Sequence, residues 1–273
     1  AEKRRHIEMA KKRRRRAKAQ LAFGLILAVA LVVLLCMIGW KAFHGSGARE
    51  AGETPVSESS MPETGKLSEK DFAYSIADDK KEAGTPQEKK EIGDYEGYAV
   101  RYPSLGNEAA DEDLAARADD MISVFKSEAS AKRSGKKDRM LLLADYESYQ
   151  TGTDYVSVKF DIHKELAGTA EDSLETCTYR LSDGQTVALS DLLSEGYLEL
   201  LSEKAASLAS SQGGFVQAAA VAANEANFKY HTWSNEGLTL YFPAGTLTDS
   251  QTGVLSCTVP MDELTEYLTE DIT

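Results

Sequence analysis

Signatures of catalysis and metal binding are what this sequence has least of. Its four histidines are His6, His44, His163 and His231, and no two stand at an HxxxH or HExxH spacing, so nothing places two imidazoles on one helix face. Its three cysteines, Cys36, Cys177 and Cys257, form no CxxC pair and no cluster with histidine, which leaves a structural zinc site without support. There is no GxSxG elbow, no glycine-rich phosphate loop and no dinucleotide fingerprint. Among the 44 Asp and Glu residues no pair is singled out for glycoside cleavage. The expectation is therefore no catalytic residue, no metal and no cofactor in this chain.

What is present is a divided charge. Residues 1–41 hold eleven Lys or Arg against Glu2 and Glu8, a balance of +9, so −22 falls on the remainder of a chain whose total is −13. Next to the basic run stands LAFGLILAVALVVLLCMIGW, residues 21–40, which contains no charge. At about 1.5 Å of rise per residue such a helix covers the roughly 30 Å of a bilayer's hydrocarbon. The basic excess before it predicts an amino terminus in the cytoplasm and everything after it outside, and explains the run better than nucleic acid does. Trp40 suits the interface. Gly45-Ser46-Gly47 only faintly imitates a cleavage site, and Leu35 is not the small residue that lipidation of Cys36 would need.

Composition then gives four segments. Residues 1–20 are a basic cytoplasmic segment, 21–40 a transmembrane helix, 41–94 a disordered Gly/Ser/Pro/Glu-rich stalk, and 95–273 an extracytoplasmic domain. Within the last, EGYAVRYPSL reads as a short strand, and 111–128 as a helix with Leu114, Ala118, Met121, Ile122 and Phe125 on one face. RMLLLADYESYQ and DYVSVKFDIHKEL read as strands. The second alternates, with Val156, Val158, Phe160 and Ile162 inward and Ser157, Lys159, Asp161 and His163 outward. TYRLSDGQTVALSDLL offers a tight turn at Asp183-Gly184 and a helical start capped by Ser190. An Ala-rich helix over 215–226, a hairpin turning at 234–237, the strand GVLSCTV and a helix opened by Pro260 complete the pattern. The predicted class is α+β, an antiparallel sheet with packed helices.

Cys177 and Cys257 lie in the segment where a disulfide is permitted, and both the bridge and two buried thiols fit the pattern. His163 and His231 read as surface or packing residues, with Asp161 two positions from His163 on one strand face.

With YVSVKFDI, TYRLSDGQTVALSDLL, NFKYHTWSNEGLTLYF and LSCTVPMDELTEYL in that order, residues 95–270 resemble a family of bacterial extracytoplasmic domains. That family forms the outer part of the lysozyme-sensing anti-sigma factor of Gram-positive bacteria and the region between anchor and catalytic domain of membrane-bound peptidoglycan deacetylases. The resemblance implies an accessory, non-catalytic domain that binds or positions cell-wall glycan, or alternatively a sensor for a cationic protein such as lysozyme. About twenty residues before the apolar run are too few to clasp a sigma factor, which favours the deacetylase-type arrangement, with any catalytic domain lying beyond Thr273. The implied partners are the membrane and cell-wall glycan or that cationic protein; nucleic acid is not among them.

Overall fold

Strand β2, Glu96–Ser104, lies beside β3, Met140–Thr151, in parallel register from Glu96↔Met140 to Val100↔Ala144. Parallel neighbours need a crossover, and α1, Glu108–Lys132, supplies it. The other pairings in this five-stranded sheet are antiparallel: β1, Thr85–Ile92, on β2, then β3 on β4, Tyr155–Leu166, and β4 on β5, Thr169–Arg180. After β5 come α2, Leu189–Leu192, and α3, Tyr197–Gln212. A three-stranded antiparallel sheet follows, of β6, His231–Ser234, β7, Gly237–Phe242, and β8, Leu255–Pro260, and then one helical turn, α4, Met261–Leu264. The computed structural model describes residues 65–76, 80–270 and 272. The basic segment 1–20, the apolar run 21–40 and the stalk up to residue 64 lie outside the described residues. Among the described residues no helix is long and apolar enough to cross a membrane.

The α+β class is as the sequence indicates, and the reason is the two periodicities. Helix α1 buries Ala110, Leu114, Ala118, Met121, Ile122, Phe125 and Ala129 along one stripe. That stripe meets Met140, Leu142 and Tyr146 of β3 and Val156, Val158 and Phe160 of β4, every second residue of each strand. The helix begins three residues earlier than its apolar spacing suggests because Asn107 caps it, its Oδ1 accepting from the amides of Ala109 and Ala110 at 3.0 and 3.3 Å.

Of the four β4 residues that the alternation turns outward, Asp161 and His163 keep side chains exposed by 37% and 40%, but two are not solvent-facing. Ser157 is fully buried and Lys159 nearly so, because β6 is laid across that face. Here a second core gathers Tyr155, Leu192, Leu201, Phe228, Trp233, Leu240 and Leu264.

Three further expectations are corrected. The folded region starts well before residue 95: β1 pairs with β2 along its length, and Leu67 and Phe72 pack with Ala99 and Leu141. Strand β1, TPQEKKEI, carries little apolar patterning because it is an edge strand exposed on both faces, held by its backbone ladder. Residues 215–226 form turns rather than an Ala-rich helix. An isolated helix of that length is marginal and the segment has no large apolar stripe to bury, while the Gln217 amide is held by the Leu247 carbonyl at 2.8 Å and the Asn227 side chain donates to the carbonyls of Ala219 and Ala222. Finally, Ala188 rather than Ser190 is the N-cap of α2; the Asp191 carboxylate accepts the Ala188 amide at 2.8 Å, and the Ser190 hydroxyl donates to Glu225.

Candidate functional site: a tyrosine-lined cleft

The two histidines of the folded region do not meet. His163 Nδ1 lies 2.7 Å from Asp172 Oδ1 on the neighbouring strand, while Asp161 takes the Lys159 ammonium at 2.5 Å instead. His231 places Nδ1 3.0 Å from the Phe228 carbonyl, and burial holds its pKa below the ordinary value. Cys177 and Cys257 are free thiols, each pushed up to about 11 by burial, which makes them poor nucleophiles at neutral pH. Among the described residues no group of three or more His, Cys, Asp and Glu is arranged to hold a metal ion.

Ionisable groups concentrate on the face of the large sheet opposite α1. Asp145, on β3, forms an ion pair with Lys81 at 3.3 Å, both side chains 3% exposed, with Arg101 Nε at 3.9 Å. The guanidinium of Arg101 stacks on the ring of Tyr74 at 4.7 Å. Further along the same face Lys159 bridges Glu147, at 3.1 Å, and Asp161. Tyr149 donates its hydroxyl to Glu147 at 2.6 Å. Burial works against the Glu147 carboxylate, but the Tyr149 hydroxyl and the Lys159 ammonium outweigh it and hold its pKa below the usual range. Burial and the Glu147 hydrogen bond raise the pKa of Tyr149, so its hydroxyl stays protonated.

This network ends in a cleft of about 340 Å³ between the end of β3 and the β6–β7 hairpin. Tyr149 and Gln150 supply one wall; Thr232, Asn235, Glu236 and Tyr241 supply the other, with Glu82 at the rim. The hairpin is fixed by its two-residue loop, Ser234 pairing with Gly237, and by Asn235, whose Oδ1 accepts the Gly152 amide at 2.9 Å. Tyr241 is set by a 3.0 Å hydrogen bond with the Thr232 hydroxyl and by the Lys159 ammonium 5.6 Å from its ring centre. Phenol rings, exposed amides and carboxylates in one concavity form a binding surface with directional donors and acceptors.

No protein-family model and no curated protein matches the sequence. Solved structures do. The chain is similar to a DUF3298 family protein from Pseudomonas aeruginosa, with 11% identity, a TM-score of 0.45, and 69% of this chain and 95% of that chain covered. It is similar also to a DUF3298 family member from Bacteroides fragilis, with 11% identity, a TM-score of 0.44, and 68% of this chain and 94% of that one covered.

The sequence offers no advance notice of the cleft. Tyr149 and Tyr241 are 92 positions apart and each reads as an ordinary strand residue; only the crossing of β6 over β3 and β4 sets them together. The Lys81–Asp145 pair is equally silent, because Lys81 falls in a stretch whose composition resembles a linker.

Proposed function

We propose that this protein is a membrane-anchored outer domain without catalysis of its own, which holds cell-wall glycan in the Tyr149–Tyr241 cleft, in the manner of the accessory region of a peptidoglycan deacetylase. The observation that carries the reading is the cleft's composition: two tyrosine rings with exposed amide and carboxylate groups around them match the apolar faces and equatorial polar groups of an N-acetylated sugar. The sequence resemblance supplies the setting, and the apolar run 21–40 supplies the anchor.

The test is calorimetric titration of the full chain, in uncharged detergent, with soluble N-acetylglucosamine oligomers and with muramyl-containing fragments. Saturable binding lost on Tyr241→Ala or Tyr149→Ala supports the reading. Absence of binding at millimolar oligomer, binding untouched by both substitutions, or turnover of the oligomers overturns it.

A second reading, a sensor for a lysozyme-like cationic protein, is favoured by the −22 balance on the residues after 41. It requires capture of lysozyme at low ionic strength that weakens as salt rises, and no capture there removes it.

A further inference from the structure

The two edges of the large sheet are treated differently. On β1 the outer edge carries Pro86, Lys89 and Lys90, residues that discourage another strand from pairing. On β5 there is no proline and no lysine, and its register against β4 runs without a bulge from Thr169 to Arg180. The outer side of β5 is used only near its end, where the Thr178 carbonyl accepts the Val187 amide at 2.8 Å. By the two-residue period of an antiparallel ladder, the N–H and C=O groups of Ala170, Asp172 and Leu174 point the same way. Among the described residues none of these three has a backbone partner on that side, and Ala170 and Asp172 are exposed there, whereas Leu174 is buried.

Beside this edge, on the α1 face and so away from the tyrosine cleft, lies a groove of about 260 Å³. Met121, Val124, Phe125 and Ile162 give it an apolar floor, and Val124 is 55% exposed, one of few large hydrophobics so placed among the described residues. The rim is acidic in balance. Glu171 and Glu175 stand on the groove side of β5 and Asp120 on α1, whereas the two cations there are engaged: Arg117 with Asp113 at 2.7 Å, and Lys164 with Glu128 at 2.7 Å and with Glu171 at 3.8 Å.

We propose that the free edge of β5 takes up an extended, lysine- or arginine-bearing segment of another protein as an added strand, one apolar side chain of that segment resting on Val124. Main-chain hydrogen bonds give such a complex its affinity, and alternate side chains give it selectivity. The charge decides the occupant: pairing β5 with a second copy of itself would set Glu171, Asp172 and Glu175 against like charges, whereas basic residues four positions apart meet Glu171 and Glu175 on the groove side, with the apolar residue midway between them.

The probe is a synthetic peptide with Lys, Val and Lys at every second position and Thr between them, so that all three side chains face the groove, added to the full chain in uncharged detergent and followed by fluorescence anisotropy and amide hydrogen exchange. Binding should slow exchange at Ala170 and Asp172. It should weaken at least about tenfold when alternate peptide amides are methylated, each lost backbone bond being comparable to that factor. Ala170→Pro removes one outward N–H without touching the β4 ladder, and Val124→Lys places charge on the groove floor; each should weaken binding while leaving the circular dichroism of the free protein unchanged. No binding, binding without protection of these amides, equal binding of the methylated peptide, or equal binding of the peptide with Glu in place of both Lys overturns the proposal.

Discussion

The amide of Trp233 donates to the hydroxyl of Ser157 at 2.8 Å, and Ser157 in turn shares a 2.8 Å hydrogen bond with Thr178. Trp233 belongs to the small sheet and Ser157 to the large one, and both are buried. The contact therefore ties the sheets together at the point where the outward face of β4 would otherwise be wet. Ser157→Ala leaves the Trp233 amide buried without an acceptor, and the expected cost is about 1–3 kcal/mol in urea unfolding. Thr239→Ala, which removes an exposed hydroxyl pair with Thr258, is the control and should cost less than about 0.5 kcal/mol. Equal costs would mean that the Ser157 contact carries no special weight.

The Lys81–Asp145 pair sets the stability of the polar layer. Removing one member strands a charge out of water, so Asp145→Ala is expected to destabilise by about 3–5 kcal/mol. Replacing both, with Lys81→Met and Asp145→Leu, should cost less than the two single changes added together, since neither member of the pair is then left facing an apolar replacement of the other. Denaturant midpoints of the four proteins in that cycle test the coupling, and simple additivity would refute it.

Gly184 illustrates a turn dictated from both sides. Its φ is +71°, and a Cβ there would sit 2.1 Å from Asn107 Oδ1, the cap of α1, whose Nδ2 donates to the Leu181 carbonyl at 2.9 Å. Gly184→Ala should cost about 2–3 kcal/mol, combining left-handed strain with a displaced cap. Gly168→Ala, at φ +84° with open space around it, isolates the strain alone and should cost about 1 kcal/mol. Thermal unfolding of the two variants separates clash from strain; equal losses would exclude the Asn107 contact.

His231 couples stability to pH. Burial depresses its folded pKa below the unfolded 6.5, so the neutral ring is the form the fold accepts. The unfolded chain binds the extra proton first, and stability is retained above about pH 6.5 and declines as pH falls below it, toward the folded value. The gap in melting temperature between the native sequence and His231→Gln should narrow between about pH 7 and 5, before carboxylates titrate. A gap constant with pH would show that the ring is not titrating as described.

The sequence by itself determined the elements whose side chains have one job. Leu114, Ala118, Met121, Ile122 and Phe125 recur at the helical period, and Val156, Val158 and Phe160 at the strand period, because each set faces a single apolar layer. Asp183-Gly184 and the 234–237 hairpin were equally legible, since positive φ and tight loops restrict residue choice locally. Tertiary structure alone decided what the other face of β4 meets. Ser157 and Lys159 look solvent-facing in any window of sequence, and they are buried only because β6, some seventy residues later, crosses them. The same crossing brings Tyr241 to Tyr149 and makes the cleft. Periodicity records which side of a strand is apolar, but a polar side satisfied by hydrogen bonds and ion pairs leaves no such record, because its partners come from distant parts of the chain.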